Sequence, residues 1–247
     1  MSRITVPATI ADAPMASQPL LAAVEKKLGT VPNLFRLISN SPSALEGYLS
    51  LSRALSRGAL SPQTGERIAL AIAEINGCDY CLSAHTYLAK NQANLGEAEI
   101  AANRNGSSND AKDDVAVGFA AHVALSFGHV SAADIRSIRR AGYSDAQIVE
   151  LILRVALSIF TNYLNIAADT EIDFPVVRAH HRDTSLGQAS ISDVDADRSD
   201  LKRADEWARS PPHKQSGPVF DDSRGTNRRA TAGRSIMDTG RCDMASA

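Results

Sequence analysis

Helix start and stop signals recur along the first three quarters of the chain. Ser-Pro pairs at Ser41 and Ser61 put a hydroxyl at an N-cap and a proline at the first helical position. Gly29, Gly128 and Gly142 each follow the last apolar residue of a segment, where a left-handed C-cap stops a helix. Between these signals apolar residues recur at helical spacing, and no segment alternates strictly as a half-buried strand does. We therefore predict an all-α fold with short connections and antiparallel helix packing.

The composition agrees with this fold class. Hydrophobic residues make up 44% of the 247 residues while aromatic residues make up 5%, a balance that favours packed helices over sheets. Two regions, residues 61–90 and 131–165, are the most apolar. We expect them to form the centre of the bundle.

The composition changes near residue 184. The remainder is polar, mixed in charge and without sustained periodicity, so it cannot bury enough apolar surface to offset chain entropy. We predict a helical domain over residues 1–183 and a largely disordered tail over residues 184–247. The third cysteine, Cys242, lies in this tail and is interpreted as an exposed bystander.

Charge and cysteine content limit the classes of partner. A formal net charge of −2 provides no basic field for nucleic acid or for an anionic membrane surface. The N-terminus lacks the apolar core of a secretion signal, and no run approaches the roughly 18 apolar residues of a membrane helix. We therefore expect a cytoplasmic protein. Three cysteines are too few for a disulfide framework, so a C-x-x-C pair is interpreted as catalytic or metal-binding.

The stretch NGCDYCLSAH concentrates the reactive side chains. One helix ends at Gly77 and Cys78 opens the next, so Cys78, Cys81 and His85 fall at positions i, i+3 and i+7 on one face. The helix N-terminus favours thiolate over thiol, and two thiols one turn apart can close a disulfide. His85 is placed to accept or return the thiol proton.

Glu66 is the fourth residue of interest. It lies on the preceding helix among apolar neighbours, and antiparallel packing around Gly77 would bring it against the cysteine helix. There it could orient His85 or relay its proton. The alternative is an exposed acid at a helix start, favoured by the helix dipole, and spacing alone leaves both interpretations open.

A metal site and a pair of inert buried thiols are the alternatives for the cysteines. Zinc usually takes four ligands, whereas Cys78, Cys81 and His85 supply three and Glu66 would be an uncommon fourth. Covalent haem needs a histidine directly after the second cysteine, where Leu82 stands. We expect no metal and no cofactor.

Glu66, Cys78, Cys81 and His85 form the pattern E-x11-C-x-x-C-x-x-x-H. This pattern resembles the catalytic signature of the AhpD-like alkylhydroperoxidases, in the carboxymuconolactone decarboxylase superfamily, and the resemblance extends over roughly residues 25–177. It implies an all-helical bundle with a central C-x-x-C helix, assembled as a homotrimer or homohexamer.

The resemblance also implies a mechanism. Cys81 would attack the O–O bond of an organic hydroperoxide or hydrogen peroxide and become a sulfenic acid. Cys78 would resolve it to a disulfide, and His85, with Glu66 behind it, would deprotonate Cys81. A dithiol reductant, such as a lipoyl-bearing or thioredoxin-like protein, would reopen the disulfide.

Two positions depart from the family pattern. Tyr80 stands where the well-known alkylhydroperoxidases carry a histidine, and Asn165-Ile166 stands where related sequences often have Asn-His.

Two other functions remain open. One is a decarboxylase acting on a lactone from aromatic catabolism, against which the C-x-x-C pair counts. The other is a non-enzymatic thiol redox sensor.

Overall fold

The computed structural model describes residues 2–180, and within them it contains nine α-helices, two short 3-10 helices and no β-strand. The all-α class is therefore confirmed. The predicted tail, residues 184–247, lies outside the described residues together with Cys242. The 3-10 helices are Ile10–Asp12 and Met15–Ser17, and the α-helices are α1 (Gln18–Leu28), α2 (Asn33–Ile38), α3 (Pro42–Ser56), α4 (Pro62–Asn76), α5 (Asp79–Asn91), α6 (Glu97–Arg104), α7 (Ala111–Leu125), α8 (Ala132–Arg140) and α9 (Asp145–Ala168).

The helix ends follow the signals in the sequence. The Ser41 hydroxyl accepts a hydrogen bond from the Ala44 amide at the start of α3, and Ser61 accepts one from Thr64 at the start of α4. At the end of α4, Gly77 has a φ of 68°, a left-handed conformation that strains a residue with a Cβ. This turn reverses the chain, so α5 begins at once and packs back against α4.

Helix α4 lies at the centre of the bundle and packs against α5, α6, α7 and α9. Eight of its fifteen residues are buried. Ile68 and Ile72 join a core cluster with α7 and α9, whereas Leu70 and Ala73 join a second cluster with α5. The C-x-x-C helix is therefore one half of the central hairpin, as the resemblance implied.

The prediction that residues 131–165 belong to the centre of the bundle was wrong for α8. Only Ile138 of this helix is buried, because three arginines and an aspartate leave it a single narrow apolar face. Helix α7 takes the central place instead, packing against α4 and α9. Its buried residues are Ala116, Val117, Phe119, Ala120 and Val123.

Helix α9 is 24 residues long and, by length and composition, apolar enough to cross a membrane, with a mean hydropathy of 1.5 over its most apolar window. The criterion is a windowed mean, and Glu150 and Arg154 interrupt the apolar residues of α9. Length and composition do not separate a membrane helix from a core helix. In this structure 44% of that window is buried, and the helix packs against α4, α5 and α7.

A cluster of salt bridges fixes the orientation of α4 about its own axis. Arg67 contacts Glu99 of α6 through Nε at 2.7 Å and Asp113 of α7 through Nη1 at 2.7 Å. Partial burial would raise the pKa of Glu99, but hydrogen bonds from Ser108 and Arg67 outweigh it and lower the pKa to about 2. Because Arg67 follows Glu66 directly, this anchoring helps to turn Glu66 toward α5.

The chain after α9 returns along the start of α5. The Val177 amide donates to the Ser83 hydroxyl at 2.9 Å, and the Ala179 amide donates to Asp79 Oδ1 at 2.9 Å. Asp79 and Ser83 flank the second cysteine on α5. These contacts fix the turn of helix on which the cysteines lie.

Candidate active site

The two cysteines lie at the first turn of α5 and are joined as a disulfide. Cys78 is the N-cap, with extended backbone angles (φ −88°, ψ 94°), so it precedes the helix rather than forming its first residue. The Cys81 amide donates a hydrogen bond to Cys78 Sγ at 3.2 Å. Both are buried, with 1% and 3% of their surface exposed. The helix N-terminus therefore points its free amides at the sulfur pair.

Glu66 and His85 are in direct contact. Glu66 Oε2 lies 2.8 Å from His85 Nδ1, and the side chains are 21% and 25% exposed. Glu66 is therefore not a free acid on the surface. Because the carboxylate engages Nδ1, the other ring nitrogen, Nε2, remains available. His85 forms no hydrogen bond to either sulfur within residues 2–180 in this disulfide form, so its role toward Cys81 remains a prediction.

Asn165 is a residue that the sequence analysis did not assign to the site. Its Nδ2 donates to Cys81 Sγ at 3.4 Å, from α9 to α5, while its Oδ1 is buried without a partner in the described part of the chain. One turn earlier, Asn162 Oδ1 accepts from Asn76 Nδ2 at 2.9 Å. The sequence did contain a signal for this contact. Asn162 and Asn165 lie about one turn apart on the most apolar helix, and a buried side-chain amide needs a hydrogen-bond partner.

Arg154, also on α9, lies beside the acid–histidine pair. A Cβ built on Gly65 would come within 3.1 Å of Arg154 Nη2, so the guanidinium lies over the α4 backbone next to Glu66. Burial raises the pKa of Tyr48 to about 12, with the Arg154 charge opposing this shift and the Glu66 charge adding to it. Tyr48, Glu66 and Arg154 therefore share one neighbourhood.

Tyr80, which stands next to Cys81 where the family pattern has a histidine, packs between α2 and the chain that follows α9. Its hydroxyl accepts a hydrogen bond from the Leu34 amide at the start of α2 at 3.0 Å, and its ring packs edge-on against Phe174 at 5.9 Å. Burial, together with the Asp173 charge, raises the pKa of Tyr80. Tyr80 therefore ties α2 and the returning chain to α5, and a phenol of raised pKa is unsuited to relay protons near neutrality.

No group of three or more histidine, cysteine, aspartate or glutamate side chains placed to hold a metal ion occurs among the described residues. The four predicted residues instead form two pairs, Cys78 with Cys81 and Glu66 with His85. Such an arrangement can hold two electrons as a dithiol, release them on forming the disulfide, and hold a proton on the imidazole.

Residues 42–126 match the sequence model of the carboxymuconolactone decarboxylase family. This segment contains α3 to α7 and all four predicted site residues. Over this segment, about a third of the chain, the sequence is similar to that family. No curated protein sequence matches the chain significantly.

Solved structures share the fold. One is an uncharacterized peroxidase-related protein from Silicibacter sp. TM1040, with 24% identity and a TM-score of 0.61 over 69% of this chain and 91% of that chain. Another is an uncharacterized peroxidase-related protein with an alkylhydroperoxidase AhpD core, from Ralstonia eutropha JMP134, with 23% identity and a TM-score of 0.63 over 70% and 92%.

A third similar structure is a debrominase, solved as a cysteine-to-alanine variant in complex with 2,3,4-tribromopyrrole. It has 22% identity and a TM-score of 0.58, over 70% of this chain and 93% of that chain. At these identities the three likenesses establish the fold and not the reaction.

Proposed function

We propose that the chain is a thiol-dependent peroxidase that reduces organic hydroperoxides or hydrogen peroxide through a redox-active Cys78–Cys81 disulfide. The observation that supports this most is the disulfide itself. It closes at the N-terminus of a helix whose next turn carries His85, and Glu66 engages that histidine at 2.8 Å.

The first step is nucleophilic attack by Cys81. His85 takes the thiol proton, and the thiolate attacks the terminal peroxide oxygen, so that an S–O bond forms while the O–O bond breaks. The alkoxide that leaves takes the proton back from His85 and departs as an alcohol. The sulfur is oxidised to a sulfenic acid and the peroxide is reduced. Glu66 stabilises the protonated imidazole between the two proton transfers.

Two features support Cys81 as the attacking residue, while Cys78 Sγ accepts a hydrogen bond of its own from the Cys81 amide at 3.2 Å. Cys81 lies within the first turn of α5, and its sulfur receives the Asn165 amide hydrogen bond at 3.4 Å. A hydrogen bond to the charged form stabilises a thiolate. His85 also lies one helical turn from Cys81, which places the two side chains on the same face.

The second half of the cycle restores the thiols. The Cys78 thiol attacks the sulfenic sulfur of Cys81, forming the disulfide and releasing the hydroxyl as water. A dithiol reductant then reduces this disulfide by exchange and is itself oxidised to a disulfide. We propose a lipoyl-bearing or thioredoxin-like protein as the reductant, acting in the cytoplasm. The net charge of −2 favours neither nucleic acid nor an anionic membrane as a partner.

We also propose that the chain is a homo-oligomer that associates through the outer face of α9. This outer face consists of the exposed apolar residues Val149, Ile152, Leu153, Phe160, Tyr163 and Ile166. Exposed apolar surface of this extent is typical of interaction sites. None of these six side chains is charged, so two copies can meet across them without like-charge repulsion. A trimer or hexamer remains the expectation from the resemblance.

Peroxide consumption by the purified full chain with a dithiol reductant tests the proposed activity. We expect Cys81→Ser to reduce turnover to background, because the attacking sulfur is gone. Cys78→Ser should stop after about one peroxide per subunit, because the sulfenic acid can no longer be resolved.

Cys242→Ser is the matched control, since it removes the third thiol of the chain, and it should retain full turnover. The assay is repeated with 2,3,4-tribromopyrrole in place of peroxide. Unchanged peroxide turnover in Cys81→Ser, or reduction of the brominated pyrrole without reduction of peroxide, would contradict the proposal.

A further inference from the structure

Arg154 occupies an unusual position for an arginine. It lies in the middle of the buried face of the core helix α9, between Leu151 and Val155, both of which are buried. At about 100° per residue, positions 154, 158, 161 and 165 fall within an arc of roughly 60°. A polar line therefore runs along the inner face of α9, from the amide that contacts Cys81 to this guanidinium.

The charge of Arg154 has no partner in the described part of the chain. Its Nε is buried without a hydrogen bond, and no carboxylate of residues 2–180 lies within 4.0 Å of its guanidinium. Glu66, the nearest acid along α4, is engaged by His85 instead. A half-buried cation is costly unless an anion or hydrogen-bond acceptors compensate it. The carboxylate of a bound molecule would compensate this charge and satisfy Nε.

Gly65 makes room for this cation. A Cβ at this position would meet Nη2 at 3.1 Å and Cζ at 3.3 Å, a contact that would force the guanidinium to shift. Gly65 directly precedes Glu66, about 3.8 Å away along the chain. The guanidinium, which α9 carries, therefore lies against the segment of α4 that supplies the acid, at the rim of the proposed active site.

The surroundings of this rim define the shape of a ligand. The Tyr48 ring lies between Phe35 and Phe160, with ring centroids 5.7 Å and 6.2 Å away, and the Arg154 charge acts on its hydroxyl. Along α9, Arg154 and Asn165 are eleven residues apart, or about 16 Å. A ligand that reaches both the Cys81 sulfur and Arg154 needs a peroxide group, an apolar chain of comparable length and an anionic end.

We propose that Arg154 binds the carboxylate of the substrate and that the preferred substrates are long-chain organic hydroperoxides carrying a carboxylate, such as fatty-acid hydroperoxides. This inference rests on the proposed peroxidase function. A carboxylate matches the planar fork of the guanidinium and can accept two hydrogen bonds from it. Arg154 thereby selects substrates at a distance from the sulfur that reacts.

The test compares linoleic acid hydroperoxide with its methyl ester, which differs only in the charge of the far end. The full chain is assayed for kcat/KM with each, and with tert-butyl hydroperoxide as a small neutral substrate. We expect the native protein to prefer the acid over the ester by about tenfold, the size of a charge-assisted hydrogen-bond contribution. Arg154→Met should bring this ratio close to one, mainly through the KM for the acid, and Arg154→Lys should keep part of it.

Arg140→Met is the control, since Arg140 is an exposed arginine on α8, and it should leave the ratio unchanged. A purely structural role of Arg154 would lower both rates together and preserve the ratio, which would overturn the inference. Equal rates for acid and ester in the native protein would also overturn it, as would a change of oligomeric mass in Arg154→Met with the ratio intact. If none of the three hydroperoxides is reduced, the proposed function itself fails.

Discussion

At the residue scale, the proposed chemistry depends on what surrounds the Cys81 sulfur. Asn165 supplies an N–H to this sulfur at 3.4 Å, and the first turn of α5 supplies the Cys81 amide to the neighbouring Cys78 Sγ at 3.2 Å. His85 lies one turn further along the helix, with Nδ1 held by Glu66 at 2.8 Å. Each group favours a thiolate over a thiol, and only the acid–histidine pair can also move a proton.

Removing the charge of Glu66 tests that pair. In a Cys78→Ser, Cys242→Ser background, Cys81 is the only thiol, and its alkylation by iodoacetamide is followed against pH. We expect Glu66→Gln to move the midpoint of this profile to higher pH by up to about one unit. The amide cannot stabilise an imidazolium, and a neutral imidazole no longer supports the thiolate.

Glu46→Gln removes an exposed acid from α3 and should leave the midpoint in place. An identical midpoint for Glu66→Gln and its parent would remove Glu66 from the proton relay.

The residues of the site were predictable to different degrees. Cys78, Cys81 and His85 are close in sequence, so helical spacing alone put them on one side of α5. Glu66 required only the assumption of an antiparallel hairpin at Gly77. Asn165 lies 84 positions from Cys81, and its contact depends on the rotation of α9, which local periodicity does not determine. Arg154 was missed for the same reason.

At the element scale, α9 has two faces with different roles. Its inner face packs on α4 and α5 and carries the polar line that ends at Asn165 and Arg154. Its outer face is apolar and exposed, with Tyr163 56% and Val149 64% exposed. A helix that is apolar on both sides is buried on both sides or pairs with another surface. The outer face is therefore where we expect a second copy to bind.

Charge on the outer face of α9 should disrupt the assembly. We expect the native chain to sediment as a homo-oligomer in analytical ultracentrifugation and Tyr163→Glu to sediment at a lower mass, because a buried unpaired carboxylate at the contact is unfavourable. Met15→Glu changes an apolar residue that is 85% exposed but lies on a 3-10 helix away from α9, and it should keep the native mass. A native chain that sediments as a monomer would contradict the proposed interface.

The helices themselves were largely predictable because their ends are local. Ser-Pro starts and the Gly77 stop act within one turn, and they appear in the structure as N-caps and a left-handed C-cap. The choice of α7 over α8 for the centre was not predictable from average hydropathy. It depends on which helix has a wide enough apolar face to pack against α4, and α8 buries only Ile138.

At the scale of the whole molecule, residues 2–180 form the helical fold shared with peroxidase-related proteins and with a debrominase. The shared fold does not decide the reaction, and the arrangement of side chains must decide it. In this chain Cys81 accepts an amide hydrogen bond from Asn165, and the helix that carries the cysteines holds His85, paired with Glu66, one turn further along. That arrangement supports thiol oxidation by peroxide, and the decisive species is an oxidised Cys81.

Trapping that species tests the central claim most directly. Reduced Cys78→Ser protein is treated with one equivalent of tert-butyl hydroperoxide in the presence of dimedone, and the adduct is located by peptide mass spectrometry. We predict about one dimedone per subunit, located on Cys81, and none when Cys81→Ser is added to the same background. Peroxide consumed with no adduct, or with the adduct on Cys242, would contradict the account.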